Sequence, residues 1–131
     1  AFRALKTATA CQVFMIFLNK CVSKQIDGKP KRTDGWYISN NGEIQFSYIE
    51  ALDKWGISSN KFTRAIDELL RVGLIDITKS GCGLHKDVTL YAISERWEKF
   101  GTHEFAEMRR KKRKIQYGFT RKNKHGRNCK K

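Results

Sequence analysis

Hydrophobic and polar residues follow a helical spacing between residues 58 and 73. The apolar positions share one helical face: Phe62, Ile66, Leu69 and Leu70. The polar positions fall on the opposite face: Asn60, Lys61, Thr63, Arg64, Asp67 and Arg71. Ser58 is a candidate N-cap, and Gly73 can adopt the left-handed conformation that closes a helix. The pattern predicts an amphipathic helix with one buried side and one side free to make contacts.

A first helix is predicted over residues 7–24, with Thr7 or Thr9 as its N-cap. Its apolar stripe comprises Ala10, Phe14, Phe17, Leu18 and Cys21. Further apolar residues widen this stripe beyond what a small domain usually needs: Val13, Met15, Ile16 and Val22. The helix is therefore either deeply buried or part of a homodimer interface.

Two short β-prone runs, 36–38 and 44–46, flank the Asn-Asn-Gly sequence at residues 40–42. Asn-Gly is a strong tight-turn signal, so the region fits either a small hairpin or a single strand that leads into a turn. We expect Trp36 and Tyr37 to be packing residues and not a platform for stacking bases.

A second helix is predicted over residues 48–55. Ser47 is its N-cap, and Glu50 completes a capping-box pattern. Its expected core face contains Tyr48, Leu52 and Trp55. Gly56 ends this helix just before Ser58 begins the next one, which is the organisation of a helix-turn-helix.

Alternating residues predict strands over 74–78 and 88–93, joined by a glycine-bearing loop. A β-hairpin in this position, directly after a helix-turn-helix, corresponds to a wing. Two short helices are expected after it, one over 94–100 anchored by Trp97 and Phe100, and one over 102–108.

The chain carries a formal net charge of +14, which indicates a polyanionic partner. Residues 1–100 contribute +4 and residues 101–131 contribute +10, so most of the charge lies in a tail. We expect a folded domain over residues 1–101 and a basic extension over 102–131, partly helical or disordered. The tail residues expected to bind nucleic acid nonspecifically are Arg109, Arg110, Lys111, Lys112, Arg113, Lys114, Arg121, Lys122, Lys124 and Arg127.

The first turns of the helix that follows Ser58 carry side chains suited to DNA. Asn can pair with adenine and Arg with guanine, while Ser, Thr and Lys more often hold phosphates. The candidate base-reading residues are Ser59, Asn60, Thr63 and Arg64, with Lys61 as a phosphate contact. Asp67 and Glu68 would repel the DNA backbone, so contact is expected to fade after Arg64. Alternatively, Lys61 and Arg64 pair with these two acids at helical spacing.

The run from Asn41 to Gly101 resembles winged helix-turn-helix DNA-binding proteins, most closely the prophage- and plasmid-associated regulators and replication initiators. The resemblance implies an α+β winged helix-turn-helix fold with a three-helix core and a β-hairpin wing, so that residues 1–101 would form a winged-helix DNA-binding domain. The sequence itself adds an extra C-terminal helix and the basic tail to this expectation. The resemblance also implies that residues 79–86 form the wing, with Lys79, His85 and Lys86 as its cationic or potentially cationic groups. The basic tail is not a general feature of that family.

Enzymatic and metal-binding functions have weak support in the sequence. No glycine-rich phosphate loop, HExxH or nucleophile elbow is present. A zinc site could be drawn from Cys82, His85, His125 and Cys129, but it would join a wing tip to a tail, so we expect no metal and no cofactor. Four cysteines without a CxxC pair fit a reducing compartment, and the longest apolar run, 13–18, is too short to span a bilayer.

The leading hypothesis is a sequence-specific double-stranded DNA-binding protein, a small transcriptional regulator that is cytoplasmic and nucleoid-associated. One alternative is a plasmid or phage replication-initiation factor that uses the same fold at an origin. A second alternative is an RNA-binding protein that acts through the basic tail. A homodimer through the first helix is a further expected partner; no membrane and no small-molecule ligand is indicated.

Overall fold

The computed structural model describes residues 1–26, 35–81 and 88–110 of the 131-residue chain. These residues form an α+β arrangement of three α-helices and two small antiparallel sheets. In chain order the elements are α1 (Ala8–Lys20), β1 (Ser23–Gln25), β2 (Trp36–Ile38), β3 (Ile44–Gln45), α2 (Tyr48–Trp55), α3 (Ser59–Val72), β4 (Ile75–Lys79) and β5 (Leu90–Ile93). Single 3-10 turns occur at Phe2–Ala4 and Arg96–Lys99.

Helix α1 begins as the sequence predicts but ends earlier. The Thr7 hydroxyl accepts a hydrogen bond from the amide of Ala10 at 3.2 Å, which confirms Thr7 as the N-cap. The predicted end at residue 24 is wrong, because the Asn40 side chain binds both the carbonyl of Lys20 and the amide of Val22 at 2.8 Å. These are backbone groups that a longer helix would need, so the chain leaves the helix and forms β1.

Strands β1 and β2 form their own two-stranded antiparallel sheet, with Ser23 opposite Ile38. The hairpin considered between residues 36–38 and 44–46 is therefore absent. The turn that contains Gly42, whose φ is +94°, instead connects one sheet to the other. Asn-Gly marks the turn correctly, but the strands on its two sides have different partners.

The second sheet has the strand order β3-β5-β4. Tyr91 at its centre lies opposite Ile44 on one side and Ile77 on the other. The predicted antiparallel pairing of the two later strands is confirmed, although they span Ile75–Lys79 and Leu90–Ile93. Their register shifts between Ile77 and Lys79, which is the irregularity of a β-bulge. The connecting residues 82–87 lie outside the described part of the chain.

Helices α2 and α3 are joined by the three residues 56–58. The amide of Glu50 donates to the Ser47 hydroxyl at 3.1 Å, as the capping-box pattern predicts, and Gly56 and Gly73 both adopt the left-handed conformation. Ser58 is the N-cap residue of α3, but its hydroxyl accepts no hydrogen bond from the amides of the first turn. Ile57 is buried and fixes the turn against the core.

The core lies between α1, α3 and the β3-β5-β4 sheet. Four buried aromatic rings connect these elements, with centroid distances of 5.0 Å for Phe17–Tyr91, 5.5 Å for Phe17–Phe46 and 4.8 Å for Phe46–Phe62. Tilted and edge-on pairs of this kind stabilise a core beyond the area they bury. The buried residues of α3 are Phe62, Ala65, Ile66, Leu69, Leu70 and Val72, which confirms its predicted inner face.

The buried face of α1 differs from the predicted stripe. Ala10 and Phe17 are buried as expected, but Leu18 is exposed. Val13 and Ile16 are buried in its place, because their side of the helix packs on α3. Part of the surplus apolar surface that the sequence indicates is therefore core.

The predicted core face of α2 is wrong for Leu52 and Trp55, which are both exposed, Leu52 to 53%. The Tyr48 ring does pack edge-on against the buried Phe62, at 5.1 Å, and Ala51 is the buried residue of the helix. Consecutive helical residues differ by about 100° in direction, so seating Ala51 on the core turns Leu52 outward. Trp36 and Tyr37 are also exposed, at 58% and 50%, so the expectation that they are packing residues is wrong as well.

The segment after β5 is mostly irregular. The helix predicted over 94–100 is reduced to the 3-10 turn Arg96–Lys99. Trp97 in this turn is exposed, whereas Phe100, which follows the turn, packs against the core. The prediction of a helix over 102–108 is wrong: residues 102–104 form turns and bends, and residues 105–108 have no regular secondary structure. Among the described residues, no helix combines the length and apolar character needed to cross a membrane.

Candidate nucleic-acid interface

The first two turns of α3 present a polar surface opposite the core. Phe62 and Ile66 are buried and fix the rotation of the helix about its axis. With that rotation, Ser59, Asn60, Lys61 and Arg64 are all exposed. The side chains of these four residues form no hydrogen bond or ion pair with any described residue. Four of the five contact residues predicted on α3 are therefore accessible.

Thr63 is placed differently from the other candidates. It is half-buried, and its hydroxyl donates a hydrogen bond to the Tyr48 hydroxyl at 3.2 Å. This bond joins α3 to the first turn of α2. The Thr63 hydroxyl is already committed to a protein partner, whereas Asn60 and Arg64 are not.

Glu68 binds the segment that enters α1. Its carboxylate accepts hydrogen bonds from the amides of Lys6 and Thr7 at 3.2 and 3.3 Å, and from the Thr7 hydroxyl at 3.2 Å. A carboxylate that accepts several N–H and O–H groups is well satisfied without a cation. Glu68 is therefore not the partner of Lys61 or Arg64.

Asp67 is paired with Arg110. The guanidinium donates from Nε to Oδ1 at 2.6 Å and from Nη2 to Oδ2 at 2.7 Å, which is the two-pronged geometry that makes such pairs strong. Together with the bonds of Glu68, this pair excludes the alternative in which Lys61 and Arg64 are neutralised within α3. The two cations stay available.

Arg110 also joins the contact between α2 and α3. Its Nη1 donates to the Tyr48 hydroxyl at 3.2 Å, so Tyr48 accepts from both Thr63 and Arg110. The hydrogen bond with Asp67 raises the pKa of Arg110 despite the partial burial of the guanidinium. The sequence predicts Arg110 as a free tail cation, but the structure places it on α3.

The remaining predicted contacts are only partly within the described residues. Lys79 ends β4 and is exposed, at the base of the β4–β5 hairpin. The Arg109 side chain is exposed, and its Nε lies 2.9 Å from Oε1 of Glu107. The other predicted wing and tail residues lie outside the described part of the chain: His85, Lys86, Lys111, Lys112, Arg113, Lys114, Arg121, Lys122, Lys124 and Arg127.

The described residues contain no cluster of three or more His, Cys, Asp or Glu side chains that could hold a metal ion. Cys11 and Cys21 are unpaired thiols. The four residues from which a zinc site could be drawn, Cys82, His85, His125 and Cys129, lie outside the described ranges.

Sequence reasoning missed the roles of Tyr48 and Arg110 at this surface. Its helical spacing predicts that Tyr48 is a core residue. Arg110 is predicted to be part of the basic tail because it is one of six consecutive cations. Their partners, Thr63 and Asp67, are far away in sequence, so neither periodicity nor charge patterning indicates the contact.

Comparison with protein-family models, curated proteins and solved structures found no match to this chain.

Proposed function

We propose that this protein is a sequence-specific double-stranded DNA-binding protein and acts as a small transcriptional regulator. One observation carries the proposal. The first two turns of α3 expose Asn60, Lys61 and Arg64 without partners among the described residues, while the opposite side of the helix is held by the core. A rigid helix with free polar groups near its N-terminus is what a major groove accepts.

The order of the elements supports a winged helix-turn-helix as the fold. Two helices joined by a three-residue turn lie between β3 and β4 along the chain, and β5 pairs between these two strands. In this interpretation α3 is the recognition helix, α2 crosses the DNA backbone and the β4–β5 hairpin is the wing.

The proposed mechanism divides the contacts between bases and phosphates. Asn60 reads adenine and Arg64 reads guanine in the major groove, with Ser59 at the same end of the helix. Lys61 holds a phosphate, which fixes the register without selecting a sequence. Thr63 acts through its bond with Tyr48, which sets the angle between α2 and α3.

The wing and the tail supply further phosphate contacts in this proposal. Lys79 lies at the wing base, and His85 and Lys86 are the other potentially cationic groups of the wing. The basic run formed by Arg109 and residues 111–114 adds affinity that depends on salt. If about eight phosphates are neutralised, log K falls with a slope of about −7 against log salt concentration.

Selection of bound duplexes from a random DNA pool tests the proposal directly. We expect a defined sequence to be enriched and its affinity to show the steep salt dependence given above. An enriched palindrome indicates a symmetric dimer, for which the exposed apolar residues of α1 are the proposed contact. No enrichment together with a flat salt dependence would exclude this function.

Two other functions make different experimental predictions. A replication-initiation factor would support DNA synthesis from its origin in a purified system, which a repressor alone does not do. An RNA-binding protein acting through the tail would bind structured RNA better than duplex DNA and would lose that binding without residues 109–131. The accessible polar residues of α3 favour duplex DNA over RNA as the partner, and the synthesis assay separates the regulator from the initiation factor, which would use the same helix. The proposed location is the nucleoid of the cytoplasm.

A further inference from the structure

We propose that residues 102–110, the C-terminal arm, fold back along α3 and that Arg110 is a positioning residue for DNA binding, because it neutralises Asp67 on the surface that meets DNA. The inference rests on the proposed function and deepens it. It assigns to one residue of the basic tail a role that differs from phosphate contact. The observation behind it is the two-pronged pair between Arg110 and Asp67.

The arm is anchored before it reaches Asp67. Arg96, which is paired with Asp76, donates from Nη1 to the carbonyl of Ala106 at 2.7 Å. The Phe105 ring packs edge-on against Phe100 at 5.2 Å and lies under the Arg96 guanidinium at 5.9 Å. These contacts attach residues 105 and 106 to the domain, so the segment that leads to Arg110 starts from a fixed point near α3.

The path of the arm follows from its two attachment points. Phe105 lies against the C-terminal end of α3, where a Cβ added to Gly73 would be 2.9 Å from the Phe105 ring. Arg110 contacts Asp67, six positions earlier in the chain than Gly73, which corresponds to about 9 Å of helix. The arm therefore runs back toward the N-terminal half of α3, where the free contact residues are.

Asp67 lies in line with the free contact residues. Residues 60, 64, 67 and 71 follow each other at the three- and four-residue spacing of one helical stripe. A bare carboxylate in this stripe would face the phosphates of a bound duplex, and like charges in such a position weaken association. The Arg110 guanidinium removes that charge before DNA arrives. We call this contact the Arg110 clamp.

A set of single and double variants separates the clamp from a simple phosphate contact. Arg109→Ala is the matched control, since it removes the neighbouring cation, whose partner is the exposed Glu107. Arg110→Ala should weaken binding to the selected duplex about tenfold, and Arg109→Ala only about twofold to threefold. Asp67→Asn should change affinity by no more than about twofold, because its charge is already neutralised.

The double variant Arg110→Ala with Asp67→Asn carries the wild-type formal charge, and simple addition of the two charge effects would also restore affinity. The decisive comparison is therefore the effect of Asp67→Asn in the two backgrounds. The clamp predicts that Asp67→Asn tightens binding at least about fivefold when Arg110 is replaced, to within about twofold of the wild type, and changes it by no more than about twofold when Arg110 is present. Equal losses for Arg109→Ala and Arg110→Ala, with Asp67→Asn tightening binding by the same factor in both backgrounds, would overturn the inference. The affinity of Arg110→Lys for the selected duplex should lie between those of Arg110→Ala and the wild type. Lysine keeps the positive charge but cannot donate to both carboxylate oxygens with the planar geometry of a guanidinium.

A measurement without DNA distinguishes failure of the clamp from failure of the proposed function. The Nε–H of Arg110 should give a resolved NMR signal that exchanges slowly with water in the full chain. Asp67→Asn should abolish that protection, while Glu107→Gln should leave it unchanged. If wild type fails to bind DNA but this result holds, the function is wrong and the clamp stands. If wild type binds DNA and the Arg110 signal is indifferent to Asp67→Asn, the clamp is wrong.

Discussion

Lys20 Nζ lies 2.7 Å from Oε1 and 2.9 Å from Oε2 of Glu50, so the last residue of α1 holds the first turn of α2. Lys54 adds a second, more exposed contact at 3.4 Å. Desolvation works against ionisation of Glu50, but the hydrogen bonds and charges of Lys20 and Lys54 together outweigh it and lower its pKa. The orientation of α2, and with it the turn into α3, depends on this pair.

The free energy of unfolding should therefore decrease in acid as Glu50 becomes protonated. Its pKa in the folded protein is below the ordinary value of 4.5, so the stabilisation is present above that value and is lost as pH falls through the folded pKa. We expect Glu50→Gln to lower the free energy of unfolding at pH 7 by about 1 kcal/mol and to have little effect at pH 2. Urea unfolding at both pH values measures this. Glu43→Gln is the control, because Glu43 is exposed; a similar loss in that variant would contradict the assignment.

Tyr91 should make the fold sensitive to alkali. Burial of its side chain in the core raises the pKa of Tyr91 from its ordinary value of 10.0 to about 12. Its contribution is complete below pH 10 and is lost as pH rises from the unfolded to the folded pKa, by about 2 to 3 kcal/mol for a shift of this size. Tyr91→Phe should flatten that part of the pH profile in urea titrations between pH 9 and 12. An unchanged slope would argue against burial as the cause.

Gly73 and Gly56 offer a matched pair of substitutions. Both have positive φ, but a Cβ at Gly56 meets open space, whereas one at Gly73 would lie 3.0 Å from the backbone nitrogen of Trp97. Gly56→Ala should cost about 1 kcal/mol of stability from conformational strain alone. Gly73→Ala should cost about 2 to 4 kcal/mol, because the arm and the 3-10 turn must also move. Equal unfolding midpoints in the two variants would mean that the packing at Gly73 is loose.

The proposed base reading by α3 can be distinguished experimentally from phosphate contact. Asn60→Ala or Arg64→Ala should each cost about 1 to 3 kcal/mol on the selected duplex and relax the base preference at one position. Lys61→Ala should weaken binding to all duplexes alike and reduce the salt slope by about 1. Fluorescence anisotropy on the selected duplex and on singly substituted duplexes measures both. If Asn60→Ala weakened binding to all duplexes equally, Asn60 would be assigned to contact with the DNA backbone instead of a base.

Dimerisation through α1 is testable on its exposed apolar residues. Met15 and Leu18 keep 53% and 40% of their surface exposed on this helix. Leu18→Glu should shift a dimer to monomer in sedimentation equilibrium and leave the unfolding midpoint nearly unchanged, since surface positions contribute little to stability. Asn19→Glu is the control on the same helix. A monomeric wild type, or a dimer that Leu18→Glu does not affect, would exclude this interface.

The sequence alone predicts α3 well, because everything that defines it is local. The spacing of Phe62, Ile66 and Leu69, and the glycine after Val72, fix its buried face and its end, and the structure confirms both. The expectation that Ser58 caps it through its side chain fails, which shows that residue type specifies the cap position better than it specifies the bond.

What the sequence does not predict depends on contacts between distant residues. Strand β1 has the sequence Ser-Lys-Gln, which carries no strand pattern, and it exists because Trp36–Ile38 pairs with it. The rotation of α2 depends on Lys20, and the position of Arg110 depends on Asp67. Sequence patterns predict the role of a residue from its neighbours along the chain, whereas the roles of these residues depend on partners that are distant in sequence.

The strand order β3-β5-β4 also sets a sequence of events during synthesis. Strand β3 leaves the ribosome before α2 and α3, yet its partner is the last strand of the three to emerge. A nascent chain that stops short of Leu90 carries two strands with open edges and no centre between them, the condition in which chains are most prone to pair with one another. Domain completion thus waits for a four-residue segment, and slow translation ahead of residue 90 would lengthen the exposure.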